Sequence, residues 1–443
     1  MSEGFAFGSY GRVVAASDLR GGTGRKANIV GFGTRIDEST YAELQLERRD
    51  SFGASYGEGV YTRVVSTLAI AGPLFHETGT FDAKLAIRNL YLEATGVFFK
   101  GFTAWAGSRM YRGDDVYLLD WWPLDNLNTV GGGVRMAVDT TSPDATSLAL
   151  HAGLGRPDDP FSYQTRPSPS PSGFGATDVV TLDRPRLIVS AKLTHVQLLK
   201  EGYGAVPGFK VAIYGEAHSI SRGTRTVTDA PPGTTESLPA DSGSVVGFQL
   251  GYFTGKRDTF VNLFFRWASG IAAFGDKTTP NALSLDRTAE GAKEFRAVLS
   301  ANVEVGPVGV LLGGYVRSFR DASGDPYSRN TFNEGTLVVR PHVWFGEHVG
   351  LALEGSYQSL SLAGVDASGN TTRAKMWRWG VMPFITPAGR GSFTRPHLRL
   401  IYAYSARNDD ARGLYPVDDR FARRSSEHYL GIGAEWWFNS SYR

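Results

Sequence analysis

Polar and apolar side chains alternate with a period of two along much of this 443-residue chain. In YAELQLE (41–47), the odd-numbered positions carry tyrosine, glutamate and glutamine, and the even-numbered positions carry alanine and leucine. The same alternation recurs in DTFVNLFFRW (258–267), FRAVLSANVEV (295–305) and LGIGAEWWF (430–438). Because successive side chains of a β-strand point to opposite faces, this period predicts strands with one polar face and one apolar face.

Composition narrows the classes of protein that such strands can form. The 54 glycines and the 12% share of aromatic residues favour an all-β chain. No stretch approaches the roughly 18 consecutive apolar residues of a membrane helix. The absence of cysteine excludes disulfides, zinc thiolates and thiol nucleophiles. The net charge of +2 argues against nucleic acid as a partner.

The connections between strands distinguish a soluble sandwich from a membrane barrel, since both would show the alternation. Some neighbouring strands are joined by only a few residues, at 100–101, 306–307 and 346–348. Others are joined by long polar segments, at 156–180, 222–243, 274–292, 320–334, 364–374 and 406–427. Short turns that alternate with long loops are typical of an outer-membrane barrel.

Aromatic residues cluster where strands end, as the interfacial girdles of such a barrel would require. At about 24 residues for each strand and its connection, the chain length suits 16 or 18 strands. The stretches 5–14 and 428–438 would pair to close the sheet, because a membrane-spanning sheet cannot leave an open edge. We therefore predict one transmembrane antiparallel β-barrel domain over residues 1–443.

Two sequence features that could indicate an enzyme give little support for one here. GASYG (53–57) matches the Gly-x-Ser-x-Gly nucleophile motif, but that motif needs a following helix, and here it lies between two alternating strands. The eight histidines are scattered without metal-ligand spacing, so we expect no metal site and no cofactor.

The stretch GSRMYRGDDVYLLDWWPLDN (107–126) concentrates carboxylates and tryptophans. Asp114, Asp115 and Asp120 could form a glycosidase pair or a calcium loop, but the spacing is not that of an EF-hand, and Leu118 and Leu119 interrupt the oxygen ligands. A solvated surface loop is another interpretation. A loop that folds into the barrel lumen would instead present acids and an aromatic ring at a constriction, over about 112–133.

The chain resembles the maltoporin (LamB-type, carbohydrate-selective porin) family over residues 5–438. The segments that carry the resemblance are FGSYGR (7–12), TYAELQL (40–46), WAGSRMYRGDDVYLLDWWPLD (105–125), RPHLRLIYAY (395–404) and GAEWWF (433–438). The resemblance implies an 18-stranded homotrimeric barrel in the bacterial outer membrane. It also implies passive diffusion of malto-oligosaccharides along a line of aromatic rings, with no catalysis. Because Met-Ser-Glu-Gly-Phe leads directly into patterned sequence, we expect no signal peptide in this chain.

The resemblance also assigns roles to individual residues. The aromatic line would comprise Tyr10, Tyr41, Phe393 and Trp437, with Phe260 or Phe264 at its centre and Phe81 lent by a neighbouring subunit. Its constriction and polar tracks would comprise Arg12, Arg35, Glu43, Arg88, Asp115, Asp120 and Trp122. Gly113 stands where the family has a constriction arginine, with Arg112 adjacent and Arg109 nearby, and Tyr117 replaces a histidine. These departures leave the sugar preference open.

Three functions follow as alternatives: a sugar-selective porin, a general diffusion porin whose aromatic rings serve only as girdles, and a secreted β-rich glycosidase. The partners expected for the first are an oligosaccharide, outer-membrane lipid and two further copies of the chain.

Overall fold

The computed structural model describes residues 3–52, 59–71, 84–138, 145–155, 163–169, 176–182, 185–199, 206–226, 231, 234–254, 259–275, 280, 282–328, 330–365 and 369–439. Its strands are β1 (Gly4–Ser17), β2 (Tyr41–Phe52), β3 (Val60–Ala71), β4 (Lys84–Thr95), β5 (Phe102–Arg112), β6 (Asn126–Ala137), β7 (Ala145–Gly155), β8 (Tyr163–Pro169), β9 (Ala176–Leu182), β10 (Arg186–Leu198), β11 (Gly208–Ile220), β12 (Gly223–Thr226), β13 (Thr235–Leu238), β14 (Asp241–Phe253), β15 (Phe260–Gly270), β16 (Lys293–Val305), β17 (Val308–Arg320), β18 (Phe332–Trp344), β19 (Val349–Val365), β20 (Thr371–Ile385), β21 (His397–Arg407) and β22 (Ser426–Phe438). Short helical turns lie at Tyr117–Leu119, Ile271–Phe274, Asp409–Arg412 and Arg420–Arg423.

Eighteen of these strands form one antiparallel sheet that closes on itself. β1 pairs with β2 on one side and with β22 on the other, which places Tyr10 opposite Glu43 and opposite Trp437. The pairs β8–β9 and β12–β13 are separate two-stranded hairpins. The predicted closed all-β barrel, its antiparallel order and its 18 strands are confirmed.

Burial along the strands shows which face points outward. On β2, Glu43 and Glu47 are 2% and 4% exposed, whereas Leu44 and Leu46 are 42% and 51% exposed. A soluble sandwich would bury the leucines and expose the glutamates. An apolar exterior around a polar interior is instead the arrangement of a membrane barrel. Among the described residues, no helix is long and apolar enough to cross a membrane.

The two ends of the barrel differ as the connections predict. At one end, here called the turn side, strands are joined by segments as short as 306–307 and 345–348. At the other, the loop side, lie long segments such as 18–40 and 408–425. An exception is 386–396, a long segment on the turn side.

Two loop-side segments occupy the lumen. The first is 113–125, hereafter the constriction loop. It is shorter than the expected 112–133, because β6 already begins at Asn126. The second is 18–40, which the sequence analysis did not single out, and whose residues 27–30 and 33–38 are buried. Apolar residues of both segments pack together in one cluster inside the barrel.

Candidate functional site

The constriction loop is a compact structure. Residues 117–119 form a single helical turn, and Asp120 ends it in a left-handed conformation with φ 50°. The Val116 N–H donates to the Trp121 carbonyl at 2.7 Å, which closes the loop on itself. Val116, Leu118 and Leu119 are buried. The two leucines, which separate the acidic residues in the sequence, therefore anchor the loop in the lumen.

Ion pairs fix both arms of the constriction loop to the adjacent wall of the barrel. Lys192 on β10 contacts Asp125 at 2.8 Å, and Lys210 on β11 contacts Asp114 at 2.6 Å. Burial opposes ionisation of Asp114, but the adjacent Lys210 ammonium outweighs it and lowers the pKa of that carboxyl group. Since β10 and β11 follow β6 and β7 in the sheet, these pairs hold the arms against the neighbouring part of the wall. The loop nevertheless spans the lumen, because Val116 lies against Gly313 of the distant strand β17.

Glycines on the wall leave room for the loop. A Cβ at Gly313 would lie 3.0 Å from Cγ1 of Val116, and a Cβ at Gly247 would lie 2.3 Å from Cδ1 of Leu124. The close approach of loop and wall therefore depends on residues without side chains at these two positions.

Tyr117 joins the constriction loop to the remaining lumen segments. Its hydroxyl lies 3.1 Å from Oε2 of Glu435 on β22 and accepts a hydrogen bond from Arg395 of the 386–396 segment. The guanidinium of Arg35, from the 18–40 segment, lies 4.5 Å from the centre of the Tyr117 ring. The three inward segments thus meet at one buried tyrosine.

A cavity of about 440 Å³ lies on the loop side of the constriction loop. Its lining includes several residues that the resemblance assigned to the channel, listed here: Arg12, Tyr41, Arg88, Arg112, Asp120 and Trp122. Asp120 lies 4.0 Å from Arg12. Burial would raise the pKa of Asp120, but the guanidiniums of Arg35 and Arg12 lower it below its ordinary value.

A second cavity, of about 450 Å³, lies on the turn side of the same loop. Asp114, Asp115, Lys210 and Phe260 contribute to its lining. Trp122 borders both cavities. The Arg112 guanidinium stacks on this ring at 3.7 Å.

Six aromatic rings make successive contacts from the first cavity to the second. Tyr41 is 5.9 Å from Tyr10, which stacks on Trp437 at 6.4 Å. Trp437 contacts Tyr117 edge-on at 6.1 Å, and Tyr117 contacts Phe393 at 5.5 Å. Phe393 stacks on Phe260 at 6.2 Å. This series, hereafter the ring series, begins in the lining of one cavity and ends in the lining of the other.

The other predicted site residues lie away from the open lumen. Phe264 is 1% exposed beneath the constriction loop, and Arg35 is buried among Glu38, Tyr10 and Glu435. Glu43 is held behind Arg88 and the Tyr41 hydroxyl.

Arg109 pairs with Glu93 at 2.9 Å, over the rings of Tyr91 and Trp105, and does not line either cavity. Phe81 and the GASYG motif (53–57) lie outside the described residues.

Some lining residues were not expected. Phe32 and Trp121 stack at 4.1 Å in the loop-side cavity, beside Arg266, Arg296 and Arg317. The alternation of β15 and β16 places Arg266 and Arg296 on the polar face, but it does not indicate that they are neighbours.

The acidic residues of the constriction loop do not form one group. Asp114 and Asp115 line the turn-side cavity, whereas Asp120 lines the loop-side cavity. A glycosidase needs its two carboxylates on either side of a single bond. Among the described residues, no group of three metal-ligating side chains occurs.

A sequence profile of the LamB porin family matches residues 5–438, from β1 to β22. No curated protein matches the chain. Structural comparison finds OccAB1 of Acinetobacter baumannii at 11% identity and a TM-score of 0.45, covering 98% of this chain and 96% of that one. It also finds OpdK of Pseudomonas aeruginosa, solved with vanillate, at 12% identity, 98% coverage of both chains and a TM-score of 0.43. OmpT of Vibrio cholerae, in its trimer form, has 12% identity, coverage of 98% and 100%, and a TM-score of 0.36.

Proposed function

We propose, because this chain belongs to the LamB porin family, that it lets malto-oligosaccharides or related oligosaccharides diffuse passively across the bacterial outer membrane. Diffusion through an outer-membrane porin is the function that family membership supports. The sugar and the path along aromatic rings are our proposal. We also propose that the chain works as a homotrimer and catalyses no reaction.

The ring series is the observation that carries this proposal. It runs past the constriction, with Tyr41 in the lining of the loop-side cavity and Phe260 in that of the turn-side cavity. Tyr41, Trp437, Phe393 and Phe260 are half-buried, so each keeps part of its surface accessible. Tyr10 and Tyr117 lie behind them and hold them in place.

The chemistry of a pyranose suits such a series. Its apolar C–H faces can rest on successive rings, and its rim of hydroxyl groups needs polar partners to replace water. Arg112 offers Nη1, which has no hydrogen-bond partner among the described residues, and Asp120 offers a carboxylate in the same cavity. Charge-assisted hydrogen bonds are stronger than neutral ones, yet each site must stay weak enough for the sugar to leave.

A general diffusion porin is the alternative, in which these rings only support the wall. Swelling of liposomes that contain the purified chain separates the two functions. We expect maltodextrins to enter faster than polyols of similar size. Loss of a ring in the series should reduce that preference.

Phe260→Ala and Phe265→Ala are a matched pair for this test. Both residues lie on β15, but Phe260 faces the lumen and Phe265 faces outward at 40% exposure. We expect Phe260→Ala to reduce the maltodextrin preference and Phe265→Ala to leave it unchanged. Equal rates for sugars and polyols in the unmodified chain would contradict the proposal and favour the general porin.

A further inference from the structure

Three arginines stand side by side on the wall of the loop-side cavity. Arg266 on β15 lies directly opposite Arg296 on β16, and Arg296 lies directly opposite Arg317 on β17. Like charges directly opposite one another destabilise a sheet. The arrangement is therefore unfavourable for the barrel unless other groups compensate.

One carboxylate is shared by all three. Glu294 lies 2.6 Å from Arg266, 2.5 Å from Arg296 and 2.7 Å from Arg317. Arg317 has a second partner in Glu334 at 3.1 Å. Both glutamate side chains are fully buried. Their carboxylates therefore balance the positive charge from beneath the guanidinium groups, which remain nearest the cavity.

The cavity is richer in hydrogen-bond donors than in acceptors. Its lining contains six arginines but two carboxylates, those of Asp120 and Glu216. The Glu216 oxygens are already engaged, one by the Tyr214 hydroxyl and one by His218, both at 2.6 Å.

Two of the arginines have free donor atoms. Nε of Arg296 and Nη1 of Arg112 are buried and have no hydrogen-bond partner among the described residues. Arg296 also lies 5.2 Å from the ring centre of Trp121, which stacks on Phe32. The free N–H of Arg296 beside this pair of stacked rings forms a place for a sugar that carries acceptor oxygens.

We propose that this cavity selects saccharides that bear an anionic group, either a carboxylate or a phosphate. This inference rests on the proposed function and names its substrate class. A neutral hydroxyl group is both donor and acceptor, so a lining of donors satisfies only half of it. A carboxylate or phosphate is an acceptor only, and guanidinium groups match its geometry.

The net charge of the surroundings does not by itself produce the preference. Glu38, Glu43, Glu294 and Glu334 pair with lining arginines and balance their charge. The selectivity therefore depends on short-range donor geometry inside the cavity.

The test uses the full chain in planar bilayers and measures block of its single-channel current. The probes are trigalacturonate against maltotriose, and glucose 6-phosphate against glucose. We expect the acidic member of each pair to block at about tenfold lower concentration, as one additional charge-assisted hydrogen bond would produce. The two pairs distinguish a carboxylate from a phosphate ligand.

Arg296→Gln should bring the block by the acidic probe to the level of the neutral one. Arg48→Gln is the control, because Arg48 is exposed on β2 and pairs with Asp50 away from the lumen. If Arg296→Gln fails to fold, Arg112→Gln replaces it, since the Arg112 guanidinium has no ion pair among the described residues.

Equal or tighter block by the neutral sugars would overturn this inference and leave the proposed function standing. Absence of block by any of the four probes would count against both. An acidic preference that survives both Arg296→Gln and Arg112→Gln would also overturn the assignment to this cavity.

Discussion

Replacing Glu435 with glutamine would remove the charge that holds the inward segments together. This glutamate is fully buried on β22. It lies 2.8 Å from Arg395, 3.1 Å from Arg35 and 3.2 Å from Arg399, and it accepts a hydrogen bond from the Tyr117 hydroxyl at 3.1 Å. Through these contacts it connects the wall to the constriction loop, to 18–40 and to 386–396.

The size of the effect follows from burial. Removing one partner of a buried ion pair costs about 3–5 kcal/mol, because the remaining charge is left uncompensated. Glutamine keeps the shape and one acceptor oxygen, so we expect a loss of about 3 kcal/mol, at the lower end of that range. With Tyr117 released, the constriction loop should move away from its position, and single-channel conductance should rise.

The assay compares Glu435→Gln with Glu347→Gln in detergent unfolding and in planar bilayers. Glu347 is 65% exposed and pairs with Arg390 at 3.3 Å in the turn after β18. An exposed pair of this kind contributes at most about 1 kcal/mol. Our reasoning would be refuted if the two variants matched each other in both stability and conductance.

Two further predictions concern the constriction loop. In Gly313→Val, the new side chain would meet Val116 of the loop, where a Cβ alone already lies 3.0 Å from Cγ1. Overpacking of this kind costs about 1–3 kcal/mol, and we expect a lower conductance as the loop shifts into the lumen. The second concerns pH. Because Arg35 and Arg12 lower the pKa of Asp120 despite its burial, its ionic contacts are present above the ordinary aspartate pKa and are lost as pH falls through the lowered pKa. Conductance should therefore stay nearly constant from pH 7 to about pH 4 and change below that, and Asp120→Asn should reduce the change.

The barrel could be predicted from sequence because its signal is local. The alternation of Glu43, Leu44 and Gln45 determines which side chains share a face, and the short connections at 306–307 and 345–348 exclude long crossovers. The alternation alone left open whether Leu44 faces lipid or a dry core. The pattern of short turns and long loops in the same sequence decided in favour of lipid, and Leu44 is 42% exposed in the structure.

The interior of the barrel was harder to predict, because its contacts join residues far apart in the chain. The alternation along β15 predicts that the Phe264 ring faces the lumen, yet the constriction loop covers it. Arg35 lies in a segment whose path depends on partners more than 300 residues away, such as Gln358, which accepts from the Ile29 N–H at 2.7 Å. No periodicity encodes such contacts.

Block of single-channel current by maltodextrins of increasing length tests the central claim most directly. If sugars move along the ring series, longer chains contact more rings at once, and the concentration for half-block should fall with each added glucose unit until the series is filled. A half-block concentration that does not depend on chain length, or no block by any maltodextrin, would contradict the account.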